Sequence, residues 1–343
     1  MAGSRQHILP RFLLKGFASR VQDKKVFSWV YRKGFEAFEA SIRDICVEED
    51  FYGKNDELSV DSEITKLEPD FALLLDEVRN TEDRAEVINP KIADFITHLC
   101  IRTKHLRDST RESYEYLVLK LEEYLSDFNN LKDHVFDSPL MIDCVLENIS
   151  KQIPVSEDQK NQLKQLLPYF ISKYFNGKQF EIEALTLYFF QQVKTIPRKK
   201  IKESHIKALT KNTIPEPRAE MYRNMHWFVL NTDVPLLLGD VGCVFEVEGK
   251  NHYRALTGKN DEIKAIYLPI SSKQMLVGTA FLTPPPIDYH IFIEKYVKCC
   301  REFFICPKPS PHNYLIAQKI GLDSDLISKE ELDRIVLNLF NEK

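Results

Sequence analysis

His7-Ile-Leu-Pro-Arg-Phe-Leu-Leu-Lys-Gly-Phe17 sets a histidine, an arginine and a lysine among large apolar side chains near the start of the sequence. Apolar groups close to a chain end stabilise nothing unless they are packed away from water. The run is therefore expected to be a buried anchor, tied into a core that the rest of the chain supplies. Its polar members, His7, Arg11 and Lys15, then stand at the boundary of that core. Whether they also do chemistry is the main question the sequence raises.

The chain has ample material for such a core. Of 343 residues 43% are apolar and 29% charged, an ordinary globular balance. Eleven glycines are few for a glycine-rich nucleotide-binding architecture. The formal net charge of -4 gives the whole molecule no standing attraction for nucleic acid or anionic membrane, so any such binding must be local. Seven cysteines, an odd number, are scattered at 46, 100, 144, 243, 299, 300 and 306 without a CxxC pair. They read as free thiols of a reducing compartment. No basic segment followed by an apolar stretch marks a secretory leader, and no apolar run reaches bilayer length. A soluble cytoplasmic protein with no membrane partner is expected.

Outward from the anchor, Lys25–Tyr31 is rich in β-formers, Arg32-Lys33-Gly34 offers a turn, and Phe35–Glu39 resumes, which reads as a β-hairpin. From Asp61 the apolar spacing becomes helical. Ile64, Leu67, Phe71, Leu74, Leu75 and Val78 form one stripe, and Asn89-Pro90 opens a second helix carrying Ile92, Phe95, Ile96, Leu99, Thr103 and Leu106. That pattern continues to Leu125, with a weak point expected near Asp108-Ser109-Thr110. Further helices fit Pro139–Ser150, Ser156–Tyr174, Glu181–Lys194 and Ile201–Leu209, punctuated by Pro154, Pro168 and Pro197. After Pro215-Glu-Pro217 a short helix precedes β-type runs at His226–Leu230, Cys243–Val247, Ala265–Leu268 and Met275–Val277. Ile287–Arg301 reads as helix, Glu302–Cys306 as strand and Lys329–Phe340 as a closing helix. The expected class is α+β: an anchor and hairpin over 1–58, a helical region over 59–224, and a β-rich region with closing helices over 225–343. The hairpin is expected to join the late strands in one sheet, making one compact unit.

The spacing His7-x-x-Pro10-Arg11-Phe12-x-Leu14-Lys15-x-Phe17 resembles a mostly prokaryotic domain-of-unknown-function family whose members open with His-x-x-Pro-x-x-Tyr/Phe-Leu-x-x-Phe. The likeness continues at Phe51-Tyr52, at Arg102, at Thr232-Asp233-Val234-Pro235 in place of Ser-Asp-x-Pro, and at Leu268-Pro269-Ile270-Ser271 in place of Pro-Leu-Ser. The resemblance implies a shared fold and recurring positions. It implies no activity, because a fold does not carry one.

Four groups of residues could carry chemistry. His7, Arg11, Arg102 and Asp233 form the first. Arg102 stands at the edge of an apolar stripe, and a buried guanidinium needs a carboxylate. Asp233, at a strand end, is the expected partner, with His7 beside it. The same set reads equally as a structural ion pair pinning the anchor to the core. Asp233 or Asp240 with Glu248-Gly-Lys250 forms the second, a spacing with which metal nucleases hold a divalent cation, although Glu248-Gly-Lys250-Asn251 also reads as a hairpin tip. The third is the basic run Lys194–Lys211, with Arg198, Lys199 and Lys200 at its centre, which could hold the phosphates of a nucleic acid. Arg198 and His205 there resemble the Arg-x6-His motif of HEPN-type ribonucleases, and a solvated helix face is the plainer reading. His98, Arg102 and His105 share one helix face, but the arginine between them would repel a zinc ion.

Two functions follow as expectations. One is a divalent-metal phosphodiesterase or nuclease using Asp233 with His7 and Arg102, and Mg²⁺ or Mn²⁺ held by Asp233, Asp240 and Glu248. The other is a non-enzymatic binding or sensor module that recognises an anionic ligand or partner. In that case Arg11 and Arg102 supply bidentate contacts.

Overall fold

The computed structural model describes residues 5–52, 60–132, 135, 138–152, 156–175, 177–195, 197–248, 252–257 and 261–341. The anchor is as buried as its composition demands. β1 (Arg5–His7) leads into a single helical turn, α1 (Arg11–Leu14), and a 3-10 turn (Lys15–Phe17). Leu9, Leu13, Leu14 and Phe17 are fully buried, while Arg11 and Lys15 point to solvent.

β2 (Arg20–Gln22), β3 (Lys25–Arg32) and β4 (Phe38–Ser41) follow. The reversal between β3 and β4 uses Gly34 at φ +76, a conformation open to a residue without a Cβ. β5 (Val47–Glu49) returns to pair antiparallel with β1. α2 (Val60–Arg79) and α3 (Lys91–Ile101) bury the two stripes read from the sequence. α4 (Lys104–Leu125) begins only two residues beyond α3. The break thus lies at Arg102-Thr103 and not at 108–110, where the helix runs through. Thr103 explains the shift. Its hydroxyl donates to the Cys100 carbonyl at 3.2 Å and accepts the Leu106 N–H at 3.3 Å, closing one helix and capping the next.

α5 (Phe128–Leu131), α6 (Pro139–Gln152), α7 (Glu157–Phe175), α8 (Gln179–Thr195), α9 (Pro197–Lys211) and α10 (Glu216–Arg223) complete the helical middle. Pro168 lies inside α7 and Pro197 opens α9; Pro154 is outside the described residues. Then come β6 (His226–Asn231), β7 (Leu238–Gly239), β8 (Val244–Val247), β9 (His252–Arg254), β10 (Ile263–Ser271) and β11 (Gln274–Thr279). α11 (Tyr289–Cys299), β12 (Phe303–Cys306), α12 (Pro311–Ala317) and α13 (Lys329–Asn341) end the chain.

The class is α+β. The early hairpin does join late strands: β2-β3-β12-β7 form one antiparallel sheet, with β4 on the other side of β3. The remaining late strands form a second antiparallel sheet, β6-β11-β10-β8-β9. Packing divides the chain into two units, Met1–Thr110 with Ile201–Leu326, and Arg111–Lys200 with Ile327–Lys343. The divisions fall within α4 and α9.

The first unit holds one continuous core, to which the anchor, α2, α3 and both five-stranded sheets contribute. β6, β10 and β11 carry unbroken buried runs, the mark of strands covered on both faces. In the second unit the packed cluster is small, Ile142, Leu146 and Leu167, with Val145 and Leu163 against it. Cys46, Cys100, Cys243, Cys299, Cys300 and Cys306 are free and buried; the side chain of Cys144 is not among those described.

Candidate functional site

The end of α3 delivers Arg102 into the core, 1% exposed. Its four hydrogen-bond partners come from β1, α2, α3 and the turn after β5. Nε donates to the Tyr52 hydroxyl at 3.0 Å, Nη1 to Glu68 Oε1 at 3.1 Å and to His98 Nε2 at 3.0 Å, and Nη2 to the His7 carbonyl at 2.6 Å. Burial alone would lower the pKa of this guanidinium; Tyr52 and Glu68 more than offset it. The guanidinium also fixes the tautomer of His98. Nε2 accepts, so the ring proton sits on Nδ1, toward the Thr213 carbonyl at 3.4 Å. Burial, helped by the charge of Arg102, pushes His98 down to about 3.

Arg102 meets His7 through the His7 backbone carbonyl, while the His7 ring turns its Nε2 to the Ile42 carbonyl at 3.2 Å, and the carboxylate beside Arg102 is not Asp233. It is Glu68, from the apolar stripe of α2. It stands four residues after Ile64 and three before Phe71, so a carboxylate set into that stripe was the available signal. Asp233 is exposed and belongs elsewhere.

Two further arginines repeat the pattern of Arg102. Arg79 donates to the carbonyls of Ile270 (2.7 Å), Phe12 (3.2 Å) and Leu13 (3.4 Å). Arg107 donates to the Phe51 carbonyl at 2.7 Å, lies over the Phe51 ring at 3.7 Å, and donates to His205 Nδ1 at 3.2 Å. His205 Nε2 then donates to the Ile101 carbonyl at 2.8 Å, and burial pushes the ring down to about 4. Both ring nitrogens of His205 are thus hydrogen-bonded inside the first unit. The side chains of Arg198 and Lys199 lie outside the described residues; Lys200, Lys207 and Lys211 are exposed, and Lys194 pairs with Glu122.

Asp233 lines an open groove of about 660 Å³ with Asp83, Asn231, Thr232 and the turn Ser271–Gln274. The Thr232–Pro235 and Leu268–Ser271 motifs thus converge on one surface. Thr232 N–H donates to the Lys273 carbonyl at 2.9 Å, Leu236 N–H to that of Ser272 at 2.8 Å, and Asp83 accepts the Asn231 N–H at 2.7 Å.

A second, tighter cavity of about 90 Å³ opens beside the anchor. Ile8, Cys46, His105, Asp240 and Phe303 line it together with Arg32, Asp44, Glu48, Lys104, Arg301 and Glu302. Its carboxylates are committed. Asp44 pairs with Arg5 at 2.8 Å, and Lys104 bridges Glu302 at 2.6 Å and Glu48 at 3.7 Å. Asp240 accepts the backbone N–H groups of Arg301 (2.9 Å), Glu302 (2.6 Å) and Phe303 (3.4 Å). Burial nonetheless pushes Asp240 up to about 6. Arg301 donates to Ser109 Oγ at 3.0 Å. Arg32 is exposed at the rim and makes no ion pair among the described residues.

The three carboxylates expected to hold a cation have separate surroundings. Asp233 faces the groove, Asp240 is turned to backbone amides, and Glu248 follows β8, where its backbone N–H donates to the Glu262 carbonyl at 2.9 Å. Gly249, Lys250 and Asn251 lie outside the described residues. Among the described residues no group of three or more histidine, cysteine, aspartate or glutamate side chains is arranged to hold a metal ion, and no helix is long and apolar enough to cross a membrane.

A family model for DUF4238, a protein family of unknown function, matches residues 5–299. The chain belongs to this family. No curated protein and no solved structure matches it. The family's span contains the Arg102 node and the Asp233 groove entirely, whereas Arg301, Glu302 and Phe303 of the tighter cavity fall past its end.

Proposed function

We propose that the chain is a binding module that takes a small ligand carrying an anionic group in the cavity beside the anchor. The observation that carries this reading is Arg32. It is a guanidinium at the rim of a polar cavity in which each carboxylate already has a partner. A guanidinium offers a planar fork of donors that suits a carboxylate or phosphate. The Arg102 node offers no such opening, since four partners hold that side chain inside the core. Thermal unfolding in phosphate against chloride, at equal ionic strength, tests the reading. A site filled at ten times its Kd adds about 1.4 kcal/mol of stability. That gain is expected in the wild type and lost in Arg32→Ala, whose exposed side chain folding does not need. An equal gain in both proteins, or none in either, rejects it.

A second reading keeps the divalent-metal phosphodiesterase and rests on the groove. Asp83, Asp233 and Lys273 line one opening that is large enough for a nucleotide unit. Oxygen ligands of this kind suit Mg²⁺ or Mn²⁺. A nucleic-acid substrate would find exposed cations at Lys207 and Lys211. RNA and DNA incubated with either ion would then be cut by the wild type. Asp233→Ala would cut nothing while unfolding as before. Absence of cleavage by the wild type removes this reading and leaves the binding module standing.

A further inference from the structure

The second unit carries an apolar surface along α7 and α8 that is exposed among the described residues. α8 has nine apolar residues, yet only Ile182 and Phe190 are buried. Phe180 is 81% exposed and Leu185 72%, with Leu187, Tyr188 and Phe189 each more than half exposed. At 100° per residue these five side chains spread over more than half the circumference of the helix. The end of α7 adds Leu166, Tyr169, Phe170 and Tyr174, again each more than half exposed. A helix apolar on most sides is normally enclosed by other protein. Taking roughly 200 Å² for each large side chain, the nine present on the order of 1,100 Å² of apolar surface. A stable interface needs about 800 Å² from each partner.

The charges say which partner. From Leu166 to Phe190 the chain holds only four charged residues, Lys173, Lys178, Glu181 and Glu183. Two lysines and two glutamates sum to zero, so the patch exerts no net pull on an anionic membrane or a nucleic acid. Depletion of charge with enrichment of aromatic residues is the composition of a homodimer core. A two-fold axis through the short link between α7 and α8 would set the lysines of one chain against the glutamates of the other, making the surface complementary to itself. Lys178 already lies over the Tyr174 ring at 4.0 Å, which holds its charge at the edge of the aromatic patch.

We propose that the exposed face of α7 and α8 is where a second copy of this chain docks, forming a symmetric dimer. Sedimentation velocity of the full chain over a concentration series tests it. The wild type is expected to sediment as a dimer, and Leu185→Glu with Phe189→Glu as a monomer with unchanged far-ultraviolet circular dichroism. Lys178→Glu and Glu181→Lys chains should each associate more weakly alone than in an equimolar mixture, because only the mixed pair is complementary at both contacts. A wild type that stays monomeric throughout the series overturns the proposal. So does a dimer that survives the double glutamate substitution, a mixture no tighter than its components, or a monomer that binds vesicles of anionic lipid.

Discussion

Replacing Arg102 by methionine tests the node at the centre of the first unit. Methionine keeps much of the volume and none of the donors. Glu68, a third exposed, can recover water, and the Tyr52 hydroxyl can turn. His98 Nε2 and the His7 carbonyl sit where water does not reach easily. Each buried acceptor left without a donor costs roughly 1–3 kcal/mol, and losing one member of a buried charged network typically costs about 3–5 kcal/mol in all. The expected loss is therefore about 4 kcal/mol, a fall of roughly 8–16 °C in melting temperature for a domain of this size. Arg102→Lys keeps the charge but cannot reach four partners at once, and should lose nearly as much. Both tryptophans, Trp29 on β3 and Trp227 on β6, belong to the first unit, so urea unfolding followed by tryptophan fluorescence reports that unit alone. A loss below about 1 kcal/mol, the middle of the range for point substitutions of every kind, would mean that the four hydrogen bonds do not hold the anchor, and the account of the fold given above would fail with it.

Acid should destabilise the first unit. His98 and His205 have folded pKa values near 3 and 4, below the ordinary 6.5, so the unfolded chain binds their protons first and stability is lost as the pH falls. Between pH 6.5 and 4.5 the two contribute a loss of about 4 kcal/mol. Asp240, raised to about 6, works in the opposite direction and returns about 2 kcal/mol over the same range. A net fall of about 2 kcal/mol is expected in urea titrations, and flat or rising stability on acidification would contradict it. Thr103→Val removes the hydroxyl that joins α3 to α4 and should cost about 1 kcal/mol by the same fluorescence assay; no change would show that the helix break does not depend on it. Gly239→Ala would set a Cβ onto Cys300 Sγ, with the Tyr296 ring at 3.2 Å. A loss of about 3 kcal/mol is expected, and an unchanged melting temperature would show that α11 moves freely away from β7.

The sequence made the periodic features legible. Helical stripes located α2, α3 and α6 to α9, and alternating or continuous apolar runs located β3, β6, β8, β10 and β11. β7, β9 and α12 carry too few residues to show a period, and they went unread. The break after Ile101 was missed for a related reason. Thr103 looks like one more member of the apolar stripe, and only its two hydrogen bonds reveal that it caps a helix.

Ion pairs leave no period at all, so the sequence shows a guanidinium at the edge of the α3 stripe without showing which carboxylate meets it. Burial of the arginine follows from its position beside Leu99 on the stripe. Which of 51 acidic residues meets it depends on how α2 lies against α3, and Glu68 signals only that a carboxylate stands where the stripe should be apolar. Arg79 and Arg107 were harder still, because their acceptors include backbone carbonyls, and every residue has one. Yet these contacts explain the opening stretch better than its own charged side chains do. Arg11 and Lys15 face solvent, whereas guanidinium groups from α2 and the end of α3 reach in to the carbonyls of His7, Phe12 and Leu13. The segment is held by what the helices send to its backbone. Substituting Arg11 or Lys15 by alanine should therefore leave stability within about 0.5 kcal/mol of the wild type, while Arg79→Met should weaken the same segment from the other end. Were the alanine variants the damaging ones, the polar side chains of the anchor would have to be doing work that their exposure denies them.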